Sequence, residues 1–280
     1  MNSFLTYHAA AFGKPICRLG LATRGGAGLT ADDVLYAVER GINFLNWPGN
    51  ADSPGSADAL SDAIASLGPR RESLVACVQF GARTAADAAA ELRTILATLR
   101  TGYVDLLTLY YVEHVEEWHQ LRSSGGALGY LQKAKQDGLV RRIGVTSHQR
   151  PLAAEMAASG LVDALMIRYN AAHRGAEHEI FPTTDARRIP VIAYTALRWG
   201  ALLRGTATDP AGFAVPAAPD WYRFVLQSAS VAVVLAAPDD RRELEQNLEV
   251  LAASAPLSES EYRRLVEHGE RVRRSAGRFP

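Results

Sequence analysis

Several side chains able to do chemistry sit directly behind apolar runs, where strand ends would deliver them to a common surface. His148 closes Val145-Thr146-Ser147-His148. Its ordinary pKa lies near neutrality, so it can exchange a proton at physiological pH if it faces a cavity. The alternative is a surface histidine capping the next helix. Tyr110 ends the run that begins at Val104, and Tyr111 follows it. A phenol donates a hydrogen bond readily, but acts as an acid near pH 7 only beside a cation, because burial alone keeps its pKa normal or raised. Tyr110 therefore reads as an orienting donor, and Tyr111 and Trp47 as pocket lining. The segment from Arg168 to Glu177 is the densest in ionisable groups. Arg168, His173 and Arg174 there can receive an anionic substrate, or the segment is a loop closed by its own salt bridges. His114, His119, His173 and His178 show no recognised ligand spacing with carboxylates, so no metal is expected.

The elements that must position these groups repeat along the chain. Apolar runs occur at Ile16–Ala22, Ile42–Asn46, Leu74–Gln79, Val104–Tyr110, Arg142–Thr146, Ala164–Arg168, Val191–Tyr194 and Val231–Leu235. Their near-continuous hydrophobicity suits parallel strands buried on both faces. Amphipathic stretches separate them. Thr30 and Thr84 are N-cap candidates, Gly41 and Asp137-Gly138 mark stops, and Pro238-Asp239-Asp240 opens the eighth helix with acids at its positive end. Eight strand-helix alternations with no break in composition predict one (β/α)8 (TIM) barrel domain over residues 1–280, with its working surface at the carboxyl ends of the strands. Glu113 to Gly129 and Leu202 to Asp220 break the rhythm and are candidate lids or solvated loops. Pro256 to Pro280 reads as a basic amphipathic helix and tail packed on the outside of the barrel.

Composition narrows the classes. Thirty basic residues balance thirty acidic ones in 280. No global field then favours nucleic acid or an acidic membrane face, and the expected partner is a small molecule. Cys17 and Cys77 are the only cysteines, read as buried thiols of a cytoplasmic protein rather than a bridge or an iron–sulfur site. Met1 to Ala11 lacks a basic leader with a long apolar stretch, so no signal peptide is expected.

A family pattern runs along the same frame. Arg18-Leu19-Gly20-Leu21, Glu39 to Phe44, Thr101-Gly102-Tyr103, Gly138 to Val145, Tyr169-Asn170, Ile192-Ala193-Tyr194 and Leu244 to Asn247 occur in the order found in the aldo-keto reductase superfamily, which the chain resembles. The resemblance implies the barrel and a nicotinamide cofactor, usually NADP. It also implies a catalytic Asp, Tyr, Lys and His, whose lysine lowers the tyrosine pKa. Asn46 stands at the aspartate position, Gln79 at the lysine and Tyr110 at the histidine. Trp47 to Ala57 contains no tyrosine, Ser53 being the nearest equivalent. By the same resemblance Tyr194 stacks on the nicotinamide, Thr195 and Leu197 meet the pyrophosphate, Ser147 holds the carboxamide and Asn247 contacts adenine. Met166, Asp239 and Gln246 depart from the pattern and weaken the expected binding of NADP or NAD, and a carboxylate at Asp239 repels a ribose phosphate, which opposes tight binding of NADP.

Three functions follow as expectations. The first is a nicotinamide-dependent oxidoreductase with a rebuilt site, its donor Tyr110 or His148. The second is a non-redox enzyme performing proton transfer, elimination or cyclisation at the barrel mouth. The third is a catalytically silent binding or scaffold protein, in which Asn46 and Gln79 merely satisfy one another.

Overall fold

The eight apolar runs become eight parallel strands that close on themselves. The computed structural model describes residues 3–8, 12–23, 27–49, 58–252 and 255–275. A short hairpin, β1 (Thr6–Tyr7) and β2 (Ile16–Cys17), precedes the barrel strands. These are β3 (Leu19–Ala22), β4 (Phe44–Trp47), β5 (Val75–Phe80), β6 (Leu106–Leu109), β7 (Ile143–Thr146), β8 (Ala164–Arg168), β9 (Val191–Tyr194) and β10 (Val231–Ala236). Each barrel strand pairs with the next in sequence, and β10 returns to β3.

The first run differs from its sequence reading, because it is cut at Arg18. The Arg18 guanidinium donates to the carbonyls of Phe4, Leu226, Ser228 and Val231. Ile16–Cys17 thereby leaves the barrel and pairs antiparallel with Thr6–Tyr7. Tyr7, Phe12 and Ile16 pack on the inner cluster, with Phe12 edge-on to Phe44 at 5.9 Å. The amino-terminal end is thus plugged, and the carboxyl end stays open for a site.

Strand side chains alternate between bore and helix layer. Phe44 belongs to the inner cluster, while Leu45 and Trp47 belong to the outer one. Small residues keep the bore fillable. A Cβ on Gly144 would lie 2.8 Å from Thr108 Cγ2. Asp105 locks the plugged end. It is 3% exposed and accepts from Arg71 at 2.7 Å, Arg141 at 3.2 Å and Lys14 at 3.3 Å. Lys14 also donates to the carbonyls of Glu72 and Leu74, tying the plug to the start of β5.

Helix starts follow the expected caps. Thr30 and Asp33 form a capping box on Ala31–Glu39, Thr84 caps Ala85–Thr98 and Asp240 caps Arg241–Leu248. Three regions depart from the sequence reading. Within Glu113 to Gly129 lies an ordered helix, Val115–Arg122, that buries Trp118 and Leu121. The Ser123-Ser124-Gly125-Gly126 stretch is only the turn into the helix Ala127–Gln136. There a Cβ on Gly126 would collide with the backbone oxygens of Gln120 and Leu121.

Leu202 to Asp220 is strapped down. Asp209 accepts from the backbone of Thr206, from Arg271 at 2.6 Å and from His268 Nδ1 at 3.0 Å. The Phe213 ring stacks on His268 at 4.9 Å. His268 and Arg271 lie on the terminal helix Glu259–Ser275. That helix is not confined to the outer wall: Gly269 presses on Ala171, in the loop after β8, so closely that no Cβ fits. Both cysteines are buried free thiols, and among the described residues no helix is long and apolar enough to cross a membrane.

Candidate active site at the carboxyl ends of the strands

The open end of the barrel holds a cavity of about 500 Å³. Asn46, Gln79, Tyr110, Thr146, Met166 and Tyr194 come to it from five strands and from the residue just after β6. Its floor is neutral. Gln79 Nε2 donates to Asn46 Oδ1 at 3.2 Å and lies 3.1 Å from Met166 Sδ. Thr146 Oγ1 donates to Gln79 Oε1 at 3.4 Å. Register explains the meeting, since Asn46 pairs with Cys77 on the adjacent strand and Gln79 follows two residues on. The chain then bends over this floor at Gly49, whose φ is +72° and whose added Cβ would sit 2.8 Å from the Gln79 carbonyl oxygen. Only glycine combines that conformation with that approach.

Three tyrosines form the next layer. The Tyr110 and Tyr111 rings are 4.1 Å apart, and both line the cavity. Neighbours in a regular strand point to opposite sides, but Tyr111 has a φ of +42° and so turns inward after Tyr110. Arg83 holds the turn by donating to the carbonyls of Tyr110 and Tyr111. Tyr111 stacks on His148 at 4.3 Å and meets Tyr194 edge-on at 6.5 Å. Burial raises the pKa of Tyr111 against smaller opposing effects of the Tyr110 and Tyr194 hydroxyls and of Arg168. Burial, reinforced by the Tyr111 hydroxyl, pushes the Tyr194 phenol far above its ordinary value. Its oxygen is buried beside Tyr111 without a well-formed hydrogen bond.

His148 lies behind Tyr111 and does not line the mouth. Its Nδ1 is 3.2 Å from Glu113 Oε1, and its backbone N–H donates to the same oxygen at 2.8 Å. Burial and then the Arg168 charge lower its pKa, and together they outweigh Glu113. Ser147 Oγ accepts from the backbone of Gln149 at 3.1 Å, at the entry to the helix Arg150–Ala158. Ser147, His148, Arg168 and His173 line a separate neighbouring cavity.

Two pocket assignments need correction. Trp47 is 1% exposed and belongs to the outer cluster, since the pleat that turns Asn46 inward turns its neighbour outward. Arg174 does not reach either cavity. It is ion-paired with Glu177 at 2.8 Å, and Glu177 also accepts from Tyr169 Oη. That part of the segment is the self-bridged loop.

The upper wall comes from the loop after β9. Thr195, Ala196, Leu197, Trp199 and Gly200 line the cavity. Thr195, Arg198, Trp199 and Gly200 all have left-handed backbone, and Asn170 Nδ2 anchors the loop by donating to the Thr195 carbonyl at 2.9 Å. Across the cavity stand Asp239 and Glu243. Arg241 is turned to Asp33 at 3.0 Å and Glu245 at 2.9 Å. Asn247 is buried in its helix and Gln246 is exposed, neither lining the mouth. Trp199 and Glu243 were missed from sequence; an aromatic before a glycine just past a strand end is the signal that could have found Trp199. Ser53 lies outside the described residues. Among the described residues no group of three His, Cys, Asp or Glu is placed to hold a metal.

A bore plugged at one end, with an aromatic and amide-lined mouth at the other, defines a closed (β/α)8 barrel with a pocket at the carboxyl ends of its strands. The chain belongs to the aldo/keto reductase family, whose model matches residues 29–220. Solved structures agree on the fold. An aldo-keto reductase from Bacillus halodurans, in its holo form, superposes with a TM-score of 0.73 at 17% identity, covering 94% of this chain and 95% of that one. One from Brucella melitensis gives 0.72 at 16% identity, covering 96% and 99%. Another, from Klebsiella pneumoniae in complex with NADP and acetate, gives 0.72 at 17%, covering 91% and 92%. No curated protein matches the chain.

Proposed function

We propose that the chain binds a nicotinamide dinucleotide in the mouth cavity, takes NADH at least as readily as NADPH, and does not reduce carbonyls through a lysine-activated tyrosine. One observation carries this reading. The wall of Tyr194, Thr195 and Leu197 and the floor of Asn46, Gln79 and Tyr110 line one continuous cavity.

The residues present suit most of such a ligand. Tyr194 offers a ring on the wall, and the left-handed turn from Thr195 to Gly200 brings backbone against the cavity, a geometry that favours anionic groups. Asp239 and Glu243 oppose an additional ribose phosphate by like-charge repulsion. A bound nicotinamide would supply a hydride. The chain's own part is to hold and orient the carbonyl through the Tyr110 and Tyr111 hydroxyls, the proton that completes the alcohol coming from water at the open mouth. With Gln79 and Asn46 neutral, burial keeps the Tyr111 phenol protonated at pH 7, so it donates a hydrogen bond without readily releasing a proton. The ligand partners are small molecules sized to the cavity, and the balanced charge supports neither a nucleic-acid nor a membrane partner.

Fluorescence titration with NADH and NADPH tests this. The expectation is saturable binding of both, NADH no weaker, and marked weakening in Tyr194→Ala. Failure of both to bind at millimolar concentration sinks it. A second reading, a silent ligand-binding protein, is favoured by the closed Asn46–Gln79–Met166–Thr146 contacts. Binding without cofactor oxidation across a panel of aldehydes and ketones would select it.

A further inference from the structure

Along the upper wall of the mouth two rings flank a backbone turn. Tyr194 stands before it and Trp199 near its end, and both line the cavity. Trp199 is 63% exposed, the most open large apolar side chain among the described residues. Leu203, also exposed, lines the same cavity. The other tryptophans, Trp47, Trp118 and Trp221, are buried.

The chain is held in a costly shape to present this indole. Arg198, Trp199 and Gly200 have φ values of +48°, +51° and +76°. Such a left-handed run costs free energy at the two positions that are not glycine. Both flanks are fixed. The Arg198 N–H donates to the Thr195 carbonyl at 2.9 Å, the Leu202 N–H donates to the Leu197 carbonyl at 3.3 Å, and both residues are buried. Core packing of the indole does not explain the arrangement, since most of its surface is open. An open ring at a cavity edge offers a face to another ring.

The opposite wall includes Leu235, Ala237 and Glu243. Glu243 Oε2 accepts from the Asp239 N–H at 2.9 Å, and a carboxylate has acceptor sites for further donors. The family pattern gives the adenine contact to Asn247, yet Asn247 is buried in its helix and does not line the cavity.

We infer that Trp199 determines specificity for the adenosine half of a dinucleotide, its indole stacking on the base while Glu243 accepts from the ribose hydroxyls. This role rests on the reading that the mouth binds a nicotinamide dinucleotide. Two rings separated by a turn suited to anionic groups match a ligand whose two ring systems are joined by phosphates. A carboxylate opposite the shelf suits a free ribose diol.

Calorimetric titration of the whole protein, Trp199→Ala, Trp199→Phe and Glu243→Gln tests this with three probes. These are NADH, ADP-ribose, which lacks the nicotinamide, and reduced nicotinamide mononucleotide, which lacks the adenosine. Trp199→Ala should weaken NADH and ADP-ribose roughly tenfold, as loss of one base–aromatic stack predicts. Trp199→Phe should restore most of that affinity, Glu243→Gln should weaken ADP-ribose, and the mononucleotide should bind every variant alike. With the other tryptophans buried, acrylamide quenching of indole emission reports mainly on Trp199, and ADP-ribose should protect it. Equal NADH binding by Trp199→Ala and parent overturns the Trp199 role and leaves the dinucleotide reading standing. Equal weakening of the mononucleotide, or quenching unmoved by ADP-ribose, overturns it as well. Unchanged ADP-ribose affinity in Glu243→Gln overturns the diol contact. Trp199-dependent binding of ADP-ribose without any binding of NADH supports the adenosine shelf and overturns the dinucleotide reading. Failure of the parent to bind either at millimolar concentration overturns both.

Discussion

At the residue scale the mouth is distinguished by hydrogen bonds among neutral groups. Gln79 divides its amide between Asn46, Met166 and Thr146, so the floor needs no counter-ion. A charge introduced there meets no partner. Gln79→Lys is expected to lower stability by roughly 3 kcal/mol, and adding Asn46→Asp should restore part of it by pairing the ammonium. Urea unfolding of the two variants checks this; an unchanged midpoint for Gln79→Lys would show that the floor admits water. Part of this floor was legible in the chain. Neighbouring residues on a pleated strand cannot both face the bore, so Asn46 inside already required Trp47 outside, and naming both as pocket residues overlooked the alternation. Tyr110 and Tyr111 both line the cavity because Tyr111 leaves strand geometry at a φ of +42°. Nothing in the local pattern announces that turn.

At the element scale, caps and apolar runs placed most strands and helix starts, because those signals are local. The departures arise where a distant partner decides. Arg18 cuts the first run by binding carbonyls from Phe4 and from Leu226 to Val231. Asp209 straps Leu202 to Asp220 onto a helix near the carboxyl terminus. That strap has a defined pH dependence. Burial alone would raise the Asp209 pKa, but bonds from Thr206, Arg271 and His268 hold it at about 2. A carboxylate depressed in the folded state contributes stability above its unfolded pKa of about 3.9 and loses it as pH falls toward the folded value. Proteolysis of the 202–220 segment should therefore accelerate between pH about 4 and about 2. Asp209→Asn should expose the same segment at neutral pH. Equal cleavage of variant and parent at pH 7 would show that the Phe213–His268 packing alone holds the loop.

At the scale of the whole molecule the barrel separates stability from chemistry. Its amino-terminal end is closed by the hairpin, Phe12 and the Asp105 ion network, while both cavities gather residues from the strands' carboxyl ends. Asp105→Ala would strand Arg71, whose side chain is only 8% exposed. The expected loss is about 3–5 kcal/mol, as for other buried pairs broken from one side. The unfolding midpoint should fall with an unchanged denaturant slope, and ligand binding at the far end should survive. A variant of parental stability would assign the network no structural weight.

The sequence by itself determined the barrel, its strand order and the end at which side chains would gather, because strand and helix periodicities are local and a parallel alternation of this length closes in few ways. It also carried the family pattern and the identities of Asn46, Gln79 and Tyr110 at the mouth. Only the tertiary structure decided the direction of side chains beyond the strand ends. It put His148 behind Tyr111, spent Arg174 on Glu177, and brought Arg273 and Arg274 beside Arg168 and Arg198. Loop conformation and long-range packing set those directions, and neither leaves a period in the chain.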